Sequence, residues 1–295
     1  MPRLDHLAGV PGLATVAGPD RPVHLALLGG PRVTLSPSPD MHRNALALAG
    51  LRGAYLPFHV EADALGSVLP ALRTLGFTGL NVTVPLKESV MPHLSSLTEE
   101  ARRIGAVNTL LNGPSGWVGF NTDAPGFAEA FVNDLDPCPA LILGAGGAAR
   151  AVLHALLTLG FEPCVSARRP EKARALATEF SVASRSPVET APWGDFGGPW
   201  SLVVNALSAS SPAELGQDPP APDIEPGGLM ADLNYGRPDN WFKSLARSSG
   251  AAFRDGLPML ASQARLSFIR WTGLTDIPLD PFLEGADTGR TRENS

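Results

Sequence analysis

The sequence predicts an α/β protein of two domains, and three observations carry that reading. Short apolar runs alternate with segments of helical periodicity along most of the chain, which is the pattern of strands joined by helices over a largely parallel sheet. A glycine-rich turn joins one such run to a helix near the middle, at residues 144–148. The 295 residues suffice for two separate cores, and a Pro-rich stretch at 133–139 places a boundary just before that turn.

Taken in order, residues 1–22 carry scattered Gly and Pro and are expected to be a loosely ordered extension. Residues 25–29 (LALLG) read as a first strand, followed by a Pro- and Ser-rich loop over 30–40. Residues 41–50 are helical, 55–60 a strand, and 62–75 a helix with Leu65, Val68, Leu69 and Leu72 on one face. A strand over 79–84 leads into Pro85, which is tolerated in the first turn of a short helix. Strands at 106–111 and 117–120 flank the turn at 112–116, and Thr122 and Asp123 suit the start of a helix reaching Val132. Beyond the glycine loop come a strand at 163–167, a helix at 170–180, and buried strands at 202–206 and 229–233. A surface loop at 210–228 separates the last two. A final apolar-periodic helix spans 257–271, and the polar residues 283–295 read as a disordered tail.

Composition narrows the classes. No apolar run approaches the ~20 residues that span a bilayer, and no basic-then-apolar signal layout opens the chain. A net charge of −6 argues against non-specific nucleic-acid binding. Cys138 and Cys164 form neither a metal spacing nor a disulfide framework, which points to the reducing cytoplasm. Only three of 23 basic residues are lysine, namely Lys87, Lys172 and Lys243. Arginine cannot give up its proton near neutrality and lysine can, so each of the three is a candidate proton carrier, against a background of arginine-rich composition.

The run 141–150 is strand, Gly-x-Gly-x-x-Ala, helix, with Gly144, Gly146 and Ala149 in the small-residue slots. In that dinucleotide-binding pattern Gly144 makes the turn, Gly146 lets backbone approach a pyrophosphate, and Ala149 lets helix and strand pack closely. The helix N-terminus offers N–H groups and a partial positive charge to phosphate. Gly144, Ala145, Gly146, Gly147 and Ala148 are therefore candidate cofactor residues of a Rossmann domain. Where a NAD site would carry a carboxylate at the end of the next strand, this chain has Arg168, Arg169 and Lys172. The planar guanidinium fork suits the adenosine 2′-phosphate, so NADP is the expected cofactor.

Four segments, Asn81-Val82-Thr83-Val84-Pro85-Leu86-Lys87, Gly105-Ala106-Val107-Asn108-Thr109, Asn121-Thr122-Asp123 and the glycine loop through Arg150, resemble shikimate dehydrogenase in order and spacing. The resemblance runs over residues 25–281, and the heptad ending at Lys87 is its most specific part. It implies reversible NADP-linked reduction of 3-dehydroshikimate to shikimate, in the chorismate pathway of aromatic amino acid biosynthesis, with a catalytic α/β domain over 23–122 completed by 257–282. The sheet of that domain is expected to be mixed and largely parallel, and an NADP-binding Rossmann domain is expected over 123–256. Ketone reduction needs a proton donor beside the developing alkoxide. By resemblance Lys87 is the acid–base residue and Asp123 its partner. Without it, Lys87 is a solvated first-turn lysine and Asp123 a helix cap.

The resemblance also implies that Ser36 and Ser38, from Ser-x-Ser-Pro-x-x-His, bind the substrate carboxylate. Thr34 with Ser36 is a second register, and His42 is read as packing the loop. Thr83 and Asn108 are implied as partners of the ring hydroxyls, Tyr235 and Gln263 as further substrate contacts, and Leu233 and Gly256 as cofactor contacts near the nicotinamide. Departures from the family pattern are Arg43 for Asn, Ala167 before Arg168, Leu207 in Asn205-Ala206-Leu207-Ser208, and Pro258 for Gly. Rival readings are a quinate/shikimate dehydrogenase of relaxed specificity, a non-catalytic sensor of shikimate-like acids, and another two-domain reductase. No metal is expected. The expected partners are small molecules, with no nucleic acid or membrane, and the expected assembly is a monomer or homodimer.

Overall fold

The computed structural model describes residues 22–207, 221–236 and 240–293, with side chains as far as residue 286. The expected N-terminal extension, apart from residue 22, and positions 210–220 of the expected surface loop lie outside the described residues. Two compact units are present. One comprises residues 22–98, Val107–Phe120 and Arg265–Gly289, and the other Glu99–Ala106 and Asn121–Ala264. The division is more interleaved than a single boundary, because the helix Leu257–Thr272 gives its first half to the second unit and its second half to the first. Among the described residues no helix is long and apolar enough to cross a membrane.

The first unit holds β1 (Val23–Gly29), β2 (Gly53–His59), β3 (Gly79–Val82), β4 (Ser96–Leu97), β5 (Thr109–Gly113) and β6 (Gly116–Phe120), ordered β2-β1-β3-β5-β6-β4. β1 pairs in parallel with β2 and β3, whereas β5 is antiparallel to both β3 and β6. The sheet is mixed, because the turn after Gly113 is too short for anything but a hairpin. β1 is buried along nearly its whole length, as expected of a strand covered on both faces. Leu65, Leu69 and Leu72 of the helix Leu65–Thr74 form its buried face at helical spacing.

The second unit holds β7 (Pro139–Leu143), β8 (Glu162–Ser166), β9 (Glu189–Thr190), β10 (Trp200–Asn205), β11 (Ile224–Asp232) and β12 (Ala252–Arg254). All pairs are parallel and the order is β12-β11-β10-β7-β8-β9. This is the doubly wound arrangement, with the order reversing between β7 and β10. Alternation along β7 sorts the core: Ala140 and Ile142 join one apolar cluster, Leu141 and Leu143 the other. The helices Gly147–Thr158 and Pro170–Ser184 supply the first cluster, and Trp241, Phe242 and Ala246 of the helix Trp241–Ser249 the second.

Two expectations fail here. Over 283–293 the expected disordered tail is a helix, which spans Asp280–Glu293, and positions 294–295 of that expectation lie outside the described residues. Its sequence is polar overall, but Phe282 and Ala286 are fully buried, and the Asn44 side chain donates to the Pro281 carbonyl at 3.3 Å. Two anchors suffice to dock a helix that composition alone marks as unfolded. The expected loop over 210–228 also ends earlier, because β11 begins at Ile224.

Candidate active site

In the first unit the predicted substrate residues gather at one edge of the sheet. β1 and β3 are parallel neighbours, and the segments carrying Ser36, Ser38, Thr83 and Lys87 all follow their carboxyl ends. Asn108 lies beside them, because its carbonyl accepts from Val82 N–H at 2.8 Å. The Lys87 carbonyl accepts from Val107 N–H at 2.8 Å, which fixes the four-residue helix Leu86–Ser89. Lys87 is half-buried.

The serine loop sets Ser36 and Ser38 against each other. Ser36 Oγ donates to Ser38 Oγ at 3.0 Å and accepts from Ser38 N–H at 3.2 Å, whereas Thr34 is exposed. The two hydroxyls thus lie side by side at the start of the helix Ser38–Leu48. Behind them, Tyr55 is pushed well above the usual phenol range by burial, with the Ser38 hydroxyl opposing. The His42 ring is fully buried, stacked on Tyr55 at 4.4 Å between centroids and flanked by Phe268, Trp271 and Phe282. Burial lowers its pKa to about 3, the Asn81 side chain opposing. It is a packing residue under the loop.

Asn81 is the polar hub beneath this edge. It accepts from the Tyr55 hydroxyl at 2.9 Å and donates to the Asn108 carbonyl, Thr109 Oγ and Ser267 Oγ at 3.0, 3.2 and 3.1 Å. Thr109 Oγ in turn donates to Asn108 Oδ1 at 3.1 Å, orienting a side chain that is 2 % exposed. Each bond that Asn81 makes joins elements distant in sequence, so no local pattern announces the hub.

In the second unit, Asp123 opens the helix Asp123–Phe127 and is buried. Asn121 Oδ1 accepts from the N–H groups of Asp123 and Ala124 at 3.0 and 3.1 Å. The cap expected of Asp123 is thus supplied by Asn121, whose amide also donates to the Ala106 carbonyl at 2.9 Å. A π-helical turn, Ala128–Val132, follows. Gly126 lets the helix of Gln263 come close, since a Cβ added there would lie 3.0 Å from Gln263 Cβ. Glu129 accepts a hydrogen bond from Ser262 across the same contact.

The glycine loop fits a pyrophosphate. Gly144 has φ +126°, and a Cβ there would approach the Ala206 carbonyl oxygen to 3.0 Å. Around Gly146 a Cβ would meet nothing within 4 Å, and no side-chain cap takes the first N–H groups of the helix Gly147–Thr158. Those N–H groups, with Ala145, Gly147 and Ala148 partly exposed beside them, suit an anion at the point where strand order reverses. Arg168 and Lys172 are exposed just past the end of β8. Arg150 serves the scaffold instead: its Nε donates to the Ile104 carbonyl at 2.5 Å and it pairs with Glu179.

At the carboxyl ends of β10 and β11 a second hub forms on Asp232. Its Oδ1 accepts from Asn205 Nδ2, Asn234 N–H and Asn234 Nδ2 at 3.0, 3.0 and 2.9 Å, and its Oδ2 from Asn240 Nδ2 at 2.7 Å. Burial raises the Asp232 pKa, the hydrogen bonds opposing. Leu233 and Tyr235 follow directly and are half-buried. Gly256 packs on Leu233, with a Cβ position 2.2 Å from the Leu233 carbonyl oxygen. Sequence reasoning assigned no role to Asn81, Asn121, Arg150 or Asn234, although the first three lie within its motifs and Asn234 falls between Leu233 and Tyr235. Asn240, outside those motifs, was missed with them. Lys87 belongs to the first unit and Asp123 to the second.

A family model described as the shikimate dehydrogenase substrate binding domain matches residues 28–110. The NADP(+)-dependent shikimate dehydrogenase of Thermus thermophilus is 42% identical over 260 residues, covering 87% of this chain and 95% of that protein. The corresponding Rhodospirillum rubrum protein is 37% identical over 95% of this chain and 99% of its own. The crystal structure of the Thermus thermophilus shikimate 5-dehydrogenase, in complex with NADP(H) and shikimate, superposes with a TM-score of 0.80 at 39% identity, covering 90% of this chain and 99% of that one.

Proposed function

The chain belongs to the shikimate dehydrogenase family, and on that premise we propose how its residues divide the work of an NADP-dependent shikimate dehydrogenase. The reaction is the reversible reduction of 3-dehydroshikimate to shikimate. The observation that carries this reading is the 42% identity over 95% of an NADP-dependent relative. NADP, when bound, accepts or supplies the hydride. Ser36 and Ser38 hold the substrate carboxylate, and Thr83, Asn108, Tyr235 and Gln263 orient the ring. Lys87 delivers the proton to the ketone oxygen and recovers it in reverse, and Asp123 acts with it by stabilising the charged amine. Residues 144–148 take the pyrophosphate, Arg168 and Lys172 the 2′-phosphate, and Leu233 and Gly256 the nicotinamide end. The protein works in the cytoplasm as a monomer or homodimer, without nucleic acid.

The test is NADPH formation from shikimate, repeated with quinate and then with NAD. Turnover with shikimate and NADP, and a higher Michaelis constant for NAD, is the expected result. Absence of turnover with every pair overturns the activity, and equal Michaelis constants overturn the role of Arg168.

A further inference from the structure

The loops after β10 and β11 hold a feature that the family resemblance does not supply. In the second sheet the adenosine side is set by Arg168 after β8, so the other half of a dinucleotide lies over β10 and β11, across the switch point. The backbone there is the segment Asn205-Ala206-Leu207, where this chain has Leu in place of the family's Thr. Leucine brings no hydroxyl with which to fix that backbone. Instead both polar groups of the Leu207 peptide are held from outside. Its N–H donates to Asn205 Oδ1 at 3.2 Å, and its carbonyl accepts from Asn234 Nδ2 at 3.1 Å. Asn234 is itself seated by Asp232, which accepts from both its backbone and its side chain. The Asn234 carbonyl then accepts from Gly256 N–H at 3.0 Å. One residue thus ties together the ends of β10 and β11 and the turn after β12.

We propose that Asn234 is a positioning residue that clamps the Leu207 backbone and so shapes the nicotinamide half of the cofactor site. This rests on the NADP-binding reading above. The clamp is local: Asn234 is half-buried and touches neither the glycine loop nor Arg168 in any described hydrogen bond. Its removal therefore affects one half of the ligand and spares the other.

The experiment compares direct binding of NADP+ with that of 2′,5′-ADP, which keeps the 2′-phosphate and lacks nicotinamide, in the wild type and in Asn234→Ala. Calorimetric titration supplies the constants, and thermal melting is recorded alongside. In Asn234→Ala the NADP+ dissociation constant is expected to rise about three- to tenfold, the order of one lost hydrogen bond. The 2′,5′-ADP constant stays within about twofold. Asn234→Leu, which keeps the bulk and removes the amide, behaves like the alanine variant. Unchanged NADP+ binding overturns the clamp. Equal weakening of both ligands also overturns it, since that marks general loss of structure. Wild-type protein that binds neither ligand overturns the cofactor reading itself, whatever the variants do.

Discussion

In the second sheet all six strands run parallel and the glycine loop follows the strand where their order reverses, whereas in the first sheet one strand, β5, runs against both of its neighbours. The two sheets accordingly build their sites from different material. The parallel sheet uses backbone: a helix N-terminus, a glycine at positive φ, and peptide groups clamped by amides. The mixed sheet uses side chains, gathered at one edge and braced from below by Asn81. A backbone site is general for phosphate, and a side-chain site is specific to one ring and its substituents. That division explains why the glycine loop indicates a cofactor while the heptad ending at Lys87 indicates a reaction.

Substitutions on either side sharpen the contrast. Lys87→Ala removes the proposed proton carrier and is expected to lower kcat by roughly 10²–10⁴-fold with a modest change in shikimate KM. Steady-state kinetics check it, and near-normal kcat would take Lys87 out of the mechanism. Asn81→Leu leaves the Asn108 carbonyl and three hydroxyls short of a partner in the first unit, at a cost of about 2–4 kcal/mol in stability. Urea unfolding measures the loss, and 2′,5′-ADP binding should survive it if the sheets are as separate in energetics as in construction. Gly144→Ala acts on the other side. Its φ and the close Ala206 carbonyl imply about 1–3 kcal/mol of strain, read as weaker NADP+ binding with shikimate binding intact.

A pH slope from His42 tests the mixed sheet in another way. Burial holds the His42 pKa at about 3, below the ordinary imidazole value of 6.5, so the folded state favours the neutral ring. The stability this gives is complete above pH 6.5 and is lost as pH falls towards 3, by at most about 1.4 kcal/mol per pH unit. His42→Phe should flatten the slope of unfolding free energy between pH 6.5 and 5. An unchanged slope would show that the ring is not the group responsible.

Much of this site is legible residue by residue. The glycine loop, the strand before it and the helix after it are all set by neighbours within a few positions, and so is the pairing of Ser36 with Ser38 through a two-residue spacing. The helix Asp280–Glu293 was not legible, because its burial rests on two side chains in a polar stretch. The start of the Asp123 helix at Thr122 and Asp123 was legible, but not the side chain that takes its first N–H groups, since Asn and Asp both favour such positions and only the fold turns Asn121 inward.

The sequence by itself determined the alternation of strands and helices, the glycine loop between strand and helix, and the family. Each is written in local spacing and residue type. Only the tertiary structure decided which buried polar groups satisfy one another. Asp232 and Asn205 are brought together by strand order, and Asn81 and Ser267 by a helix packed on the sheet. A buried amide or carboxylate must find a partner wherever the fold puts one, and that position is a property of the packed sheets rather than of the residue's neighbours in the chain.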